Sequence, residues 1–303
     1  MTGAGIRTRA ALGGLCALCL AGTAMAQQDF SSVEIQSTRL ADGVFMLAGA
    51  GGNMAVSVGD DGALLVDTEY APLTEKIQAA IRAAGGDDVK FVINTHWHGD
   101  HTGGNANFAQ DGAVIVAQDN VKTRMSTEQV NFNSGEKIPP SPPEALPVVT
   151  FGNRTTLHWN GHTINVFHVD NAHTDGDSII HFTDLNVFHM GDTFFNGSYP
   201  VIDVNSDGSL NGIVAAARNI LARSNAETKI IPGHGPLGSR EDLAEYVDVM
   251  STIRDRIQSM IDQGRSEDEV VAADPTSEWD ATWGAGFMNP ETFTRLAYRS
   301  LDR

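Results

Sequence analysis

The sequence predicts an α/β fold in which two β-sheets pack together with helices outside. Three observations carry this expectation. Short apolar, β-branched runs alternate with amphipathic stretches along the chain. Groups of strands are followed by helices in both halves, the pattern of layered sheets and helices. No internal repeat, coiled coil or long charge run interrupts the alternation. Of the 303 residues, 41% are apolar, enough to build the core of one large domain.

The N-terminus stands apart from that fold. Arg7 and Arg9 precede an apolar stretch from Ala10 to Gly22, which closes on Ala24-Met25-Ala26 before Gln27. This is the layout of a secretory signal peptide over residues 1–26, cleaved at an A-x-A site. The apolar run is too short to span a bilayer, so no membrane anchor is expected. Cys16 and Cys19 each follow a leucine rather than a small residue, which argues against a lipoprotein. The expected product is exported, to the periplasm, as a single domain over residues 27–303 ending in a helical segment. Both cysteines fall in the leader, so the mature chain has no thiolate ligand. The leader carries two positive charges and no acid, so a net charge of −18 becomes −20 in the mature chain. Such a surface repels nucleic-acid phosphates and anionic lipid.

Strands are expected at residues 44–47 and 54–58, the latter joined through Asp60-Asp61-Gly62 to a strand at 63–66. Pro72 opens a helix whose apolar stripe is Leu73, Ile77, Ala80, Ile81 and Ala84, stopped by Gly85-Gly86. Residues 89–93 form a continuous apolar strand. Five prolines between Ser134 and Pro147 mark an extended surface loop, either a plain linker or a wall of the active site. Strands follow at 164–169, 179–182 and 187–190, then a helix at 210–222 and a short strand at 229–231. A long helix after Ser239 places Leu243, Val247, Met250, Ile253, Ile257 and Met260 on one face until Gly264.

The chemistry is concentrated where the strand at 89–93 ends. Asn94-Thr95-His96-Trp97-His98-Gly99-Asp100-His101-Thr102-Gly103-Gly104 holds three histidines and an aspartate within six residues. Imidazole and carboxylate are zinc ligands, and a tight loop on a rigid strand fixes their directions. His96 and His98 alternate and can face one metal, while Asp100 and His101 can reach a second. Gly103-Gly104 is expected to let the chain turn tightly. Three later segments each set one ligand-type side chain at a strand end: His173 in Asn171-Ala172-His173-Thr174, Asp192 in His189-Met190-Gly191-Asp192, and His234 in Pro232-Gly233-His234-Gly235. Seven ligands suffice for two metal sites with a solvent position left open.

The HxHxDH motif, the later segments and their order resemble the metallo-β-lactamase superfamily, over roughly residues 44–264. The resemblance implies a four-layer αβ/βα sandwich with two zinc ions, or iron or manganese, at the rim between the sheets. His96, His98 and His173 would hold one ion, Asp100, His101 and His234 the other, and Asp192 would bridge them. Asp67 matches a position that supports metal ligands in relatives, and its carboxylate could orient a histidine through the second ring nitrogen. In one large lactamase subgroup a cysteine stands at the Asp192 position, with a lysine nearby that grips the substrate carboxylate. This chain has neither, which places it beside the broad di-zinc hydrolases.

The implied activity is hydrolysis of an amide, ester or thioester by a metal-bridging hydroxide, with Asp100 as the proton acceptor. β-Lactam or lactone ring opening is the leading case. A thioesterase or glyoxalase-type hydrolase, an iron-dependent persulfide dioxygenase and a non-catalytic periplasmic metal-binding module are the alternatives. The expected partner is a small-molecule substrate, not nucleic acid, and no oligomeric state is assigned. Trp97, Phe194, Phe195 and Tyr199 are candidates to line the cleft. His158, His162, His168, His181 and His189 are read as surface or core histidines. Residues 193–217 contain no lysine or arginine, so a cation for a substrate carboxylate would have to come from Lys122, Arg124 or Lys137.

Overall fold

A computed structural model describes residue 1 and residues 29–303. The expected signal peptide therefore lies outside the described residues. The first sheet has seven strands: β1 Gln36–Ala41, β2 Val44–Ala48, β3 Met54–Ser57, β4 Ala63–Val66, β5 Val89–Ile93, β6 Val114–Gln118 and, after a two-stranded hairpin, β9 Val149–Phe151. The hairpin is β7 Gln129–Val130 with β8 Lys137–Ile138. The first four strands of the sheet pair antiparallel, and β4, β5, β6 and β9 run parallel. The second sheet is β10 Arg154–Trp159, β11 His162–His168, β12 Ser178–Phe182, β13 Val187–His189 and β14 Lys229–Ile231, antiparallel except for the β13–β14 pair. The helices in chain order are α1 Thr74–Ala83, α2 Gly99–Thr102, α3 Asn105–Gln110, α4 Asp119–Met125, α5 Leu210–Arg223, α6 Arg240–Asp262, α7 Glu267–Ala272, α8 Asp280–Trp283 and α9 Pro290–Leu301.

Strand alternation sorts the apolar side chains into three layers of packing. Between the sheets lie Val44, Met46, Ala55, Val66 and Ile93 from the first and Ile164, Val166, Ile180 and Ile231 from the second. Their neighbours Leu47, Met54, Val56 and Val92 point the other way, onto Ile77 and Ile81 of α1 and Phe108 of α3. Ile179, Phe188 and Ile230 likewise leave the second sheet outward to meet α5, α6 and α9. The result is helix, sheet, sheet, helix: the expected four-layer sandwich.

Departures from the sequence reading are local. Pro72 sits in a 3₁₀ turn, Ala71–Leu73, and the α-helix proper starts at Thr74. Gly103 and Gly104 do form the expected turn between α2 and α3, but not through left-handed backbone. Both have right-handed helical backbone (φ −60° and −81°). They are needed for space, because a Cβ on Gly103 would lie 2.7 Å from the Glu69 carbonyl oxygen and one on Gly104 2.6 Å from that of Thr68. The proline-rich segment is no plain linker: its start closes the β7–β8 hairpin, and Ile138, Pro139 and Ser141 line the cavity above the metal-ligand residues. Among the described residues no helix is long and apolar enough to cross a membrane.

Candidate metal centre

The clustered residues all stand where strands end. β5 leads into His96 and His98; His98 is extended (ψ 150°) and caps α2, which carries Asp100 and His101. His173 lies in the loop from β11 to β12, Asp192 in a 3₁₀ turn just after β13, and His234 just after β14. Asn53, in the turn from β2 to β3, ties the two sheets here. Its backbone N–H donates to Gly233 O at 2.8 Å, and its side chain donates to Pro232 O and Gly235 O.

Two groups of ligand atoms result: His96, His98, His173 and Asp192, and Asp100, His101 and His234. Asp192 lies between them, with Oδ2 3.5 Å from His173 Nε2 and 3.4 Å from His234 Nε2, and Oδ1 3.0 Å from His101 Nε2. The outer nitrogens of four rings meet groups that accept a hydrogen: His98 Nε2 on Asp203 Oδ2 (3.0 Å), His101 Nδ1 on Asp67 Oδ2 (2.8 Å), His173 Nδ1 on Val201 O (2.9 Å), and His96 Nδ1 on Thr95 Oγ1 (3.0 Å), whose own hydrogen goes to Asp67. In the neutral rings the inner nitrogens therefore carry lone pairs. Yet His98 Nδ1 and His173 Nε2 are 2.8 Å apart, and buried His96 Nε2 and Asp192 Oδ1 have no hydrogen-bond partner. Lone pairs converging in a buried space repel unless a cation sits between them. The donor set of imidazoles and carboxylates fits a divalent transition metal.

The electrostatics follow from this crowding. Burial and the neighbouring His101 hold His96 well below the usual histidine range. Burial also lowers His173, to about 4. Burial is the largest single effect on His101 and His234 and acts against their charge, but Asp192 and Asp100, with Asp67 for His101, together outweigh it: His101 is raised well above its usual value and His234 to about 9. Burial pulls Asp100 and Asp192 upward, but His101 and His234 together, with His173 and His96 for Asp192, keep both below the usual carboxylate range.

Sequence reasoning missed several residues that hold this cluster. Asp203 fixes His98 and accepts from Ser206 Oγ, which in turn accepts from Trp97 Nε1. Asp177 is buried and accepts the backbone N–H groups of His173 (2.6 Å) and Thr174 (2.9 Å); burial raises its pKa to about 7. His189 is buried, not a cluster member; its ring bridges Asn53 O and the Gly191 N–H beside Asp192. The only signal for these is hydrogen-bonding residue type near a motif, which many structural residues share.

A cavity of about 600 Å³ opens over the cluster, and Asp100, His98, His173, Asp192 and His234 line it. Trp97, Phe195 and Tyr199 also line it; Phe195 stacks on His234 with ring centroids 5.0 Å apart. Phe194 does not. It points into the core behind the site and packs on Tyr246, because consecutive residues of an extended segment face opposite ways. Of the three cations considered, Arg124 reaches the cavity, while Lys137 is exposed and paired with Glu128.

Residues 48–234 match the model of the metallo-β-lactamase superfamily. The chain belongs to that superfamily. Superfamily relatives include a hydroxyacylglutathione hydrolase from Polaromonas sp., 29% identical over 54% of this chain and 55% of that protein. A 2,4-dinitroanisole O-demethylase subunit alpha from Nocardioides sp. is 26% identical over 68% and 58%. The metallo-β-lactamase type 2 of Bacillus cereus is 22% identical over 62% and 69%. The chain thus spans just over half the length of the first two. Among solved structures, a metallo-β-lactamase from Pontibacter korlensis has a TM-score of 0.59 at 20% identity, covering 72% of this chain and 99% of that one. A sec-alkylsulfatase from a Pseudomonas species has a TM-score of 0.68 at 14% identity, covering 88% and 50%. These likenesses confirm the metallo-β-lactamase fold.

Proposed function

We propose that this chain is a di-zinc hydrolase that opens an amide, ester or thioester carbonyl, a lactone or β-lactam ring foremost. The observation that carries the reading is the convergence of seven ligand-type side chains, five of them lining one cavity, with unpaired donor atoms inside and hydrogen-bonded ring nitrogens outside. His96, His98 and His173 would hold one ion, Asp100, His101 and His234 the second, with Asp192 shared. Divalent ions held there would activate water and polarise the carbonyl. Asp100 faces the cavity with its side chain 25% exposed and Oδ2 3.3 Å from His234 Nε2. In this reading Asp100 would take up the proton of the attacking water, while Asp67 and Asp203 keep the imidazoles aimed. Two relatives that bear hydrolase names support a hydrolytic reading.

The test is metal analysis with turnover on one preparation. His98→Ala and His234→Ala should each lower metal content from about two ions per chain. Asp100→Asn should cut turnover by orders of magnitude while keeping metal at the three-histidine group. Full turnover in Asp100→Asn would remove Asp100 from the mechanism. One iron per chain without hydrolysis would favour the persulfide dioxygenase reading, and metal binding without any turnover the binding-module reading.

Export is part of the same proposal. The mature chain should begin at Gln27, read by mass spectrometry of protein recovered outside the cytoplasm. An intact N-terminus there would overturn it.

A further inference from the structure

Arg124 is the only lysine or arginine among the residues that line the cavity. A guanidinium has five N–H donors, and the structure gives all five an acceptor. Nε and Nη2 grip Asp175 at 3.2 and 2.8 Å, and Nη2 also meets Asp207 at 3.3 Å. Nη1 donates to Gln129 Oε1 and Asn205 O, both at 3.3 Å. Its charge is met by the two carboxylates of Asp175 and Asp207. A substrate carboxylate buried here would lose its water without gaining a cation from the protein.

Away from the metal-ligand residues the wall is mixed: Gln129, Asn131, Asn133 and Ser198 are polar, but its larger share is apolar. Phe132, at the tip of the β7–β8 hairpin, stands 6.3 Å ring to ring from His98, so the apolar surface begins beside the metal-ligand residues. Met125 and Ile138 extend it. Among the described residues beyond the chain terminus, four large apolar side chains are exposed, and two of them line this cavity: Val130 at 41% and Phe287, between α8 and α9, at 79%. A cavity of about 600 Å³ is larger than a small ring requires and falls within the range of sites that bury an extended small molecule.

We propose that the substrate is an uncharged ester, thioester or lactone bearing an extended apolar arm, which lies against Phe132, Val130 and Phe287. This rests on the hydrolytic reading above. Arg124 is a positioning residue that joins α4 to the loops carrying Asp175 and Asp207, and it does not bind substrate.

The experiment uses the zinc-loaded mature protein and p-nitrophenyl esters of acetate, hexanoate and decanoate, with a hexanoate carrying a terminal carboxylate as the charged counterpart. Each buried methylene can raise kcat/KM up to about fourfold, so hexanoate should exceed acetate by at least about tenfold. The terminal carboxylate should lose at least about tenfold against hexanoate. Phe287→Ser with Val130→Ser should flatten the length series, lowering hexanoate and decanoate at least about tenfold more than acetate. Arg124→Gln should not change the ratio of charged to neutral ester, even if it lowers both rates. A flat series in the parent protein, or a preference for the carboxylate that Arg124→Gln removes, would overturn the proposal. If no ester turns over, the hydrolytic reading fails separately. Calorimetry would then read the pocket directly: decanamide binding more tightly than acetamide and decanoate supports it, and equal or reversed affinities overturn it.

Discussion

Asp67 has left-handed backbone, φ 61°, which costs a non-glycine residue on the order of 1 kcal/mol and needs compensation from its surroundings. Its carboxylate supplies that: Oδ1 accepts the Thr95 N–H at 2.8 Å, and Oδ2 meets Thr95 Oγ1 and His101 Nδ1 at 2.7 and 2.8 Å. One buried side chain thus aims His101 and, through Thr95, His96. Asn tolerates the same backbone and shape but carries no charge, so Asp67→Asn should fold while losing about 10- to 100-fold in metal affinity. Competition with a chelator measures this, and unchanged affinity would leave Asp67 a mere turn residue. Asp67 was legible because it directly follows a readable strand, at a position to which the family resemblance gives a supporting role. Asp203 was not, since it lies 105 residues from the histidine it orients and has no spacing to give it away.

At the scale of elements, the C-terminal helices pack behind Tyr199 of the cavity wall, and the loop between α8 and α9 brings Phe287 to the cavity. Phe293 of α9 stacks on Tyr199 with centroids 4.7 Å apart, and Arg295 and Arg299 of α9 both hold Glu267 in the first turn of α7. The Arg299 hydrogen bonds hold the Glu267 carboxyl below its ordinary range against the opposing effect of burial, with Arg295 adding a smaller downward pull. A depressed folded-state pKa gives stability that is present above the unfolded value of about 4.3 and lost as pH falls through the folded value. Glu267→Gln should therefore lower stability by about 1 kcal/mol at pH 7. The gap in Tm should close below about pH 4, and a gap equally wide at pH 7 and pH 3.5 would show that charge is not the cause. Continuous apolar strands such as β5 and the striped α6 were legible as elements. β1 and β10 were not, because they are sheet edges with exposed or alternately exposed residues, and polar side chains there mask the strand signal.

For the whole molecule, periodicity implied two packed sheets but not their order. Nothing local in β9 says that it pairs with β6 across the intervening α4 and hairpin, since that pairing is decided by which apolar faces meet. The ligand motifs were legible because each keeps its signature in adjacent residues. The same ligands are separated by long stretches of chain, 75 residues between His98 and His173 and 133 between His101 and His234. Contacts of such separation form late, after the loop-closure entropy between them has been overcome. A chain still emerging from a ribosome or a translocation pore lacks a complete pocket for the ions until the strand bearing His234 has docked. An ion bound by both ligand groups would therefore be captured only on the final association of the two halves, so the ions available where that happens, together with the preference of the imidazole and carboxylate donors, would set which one is held.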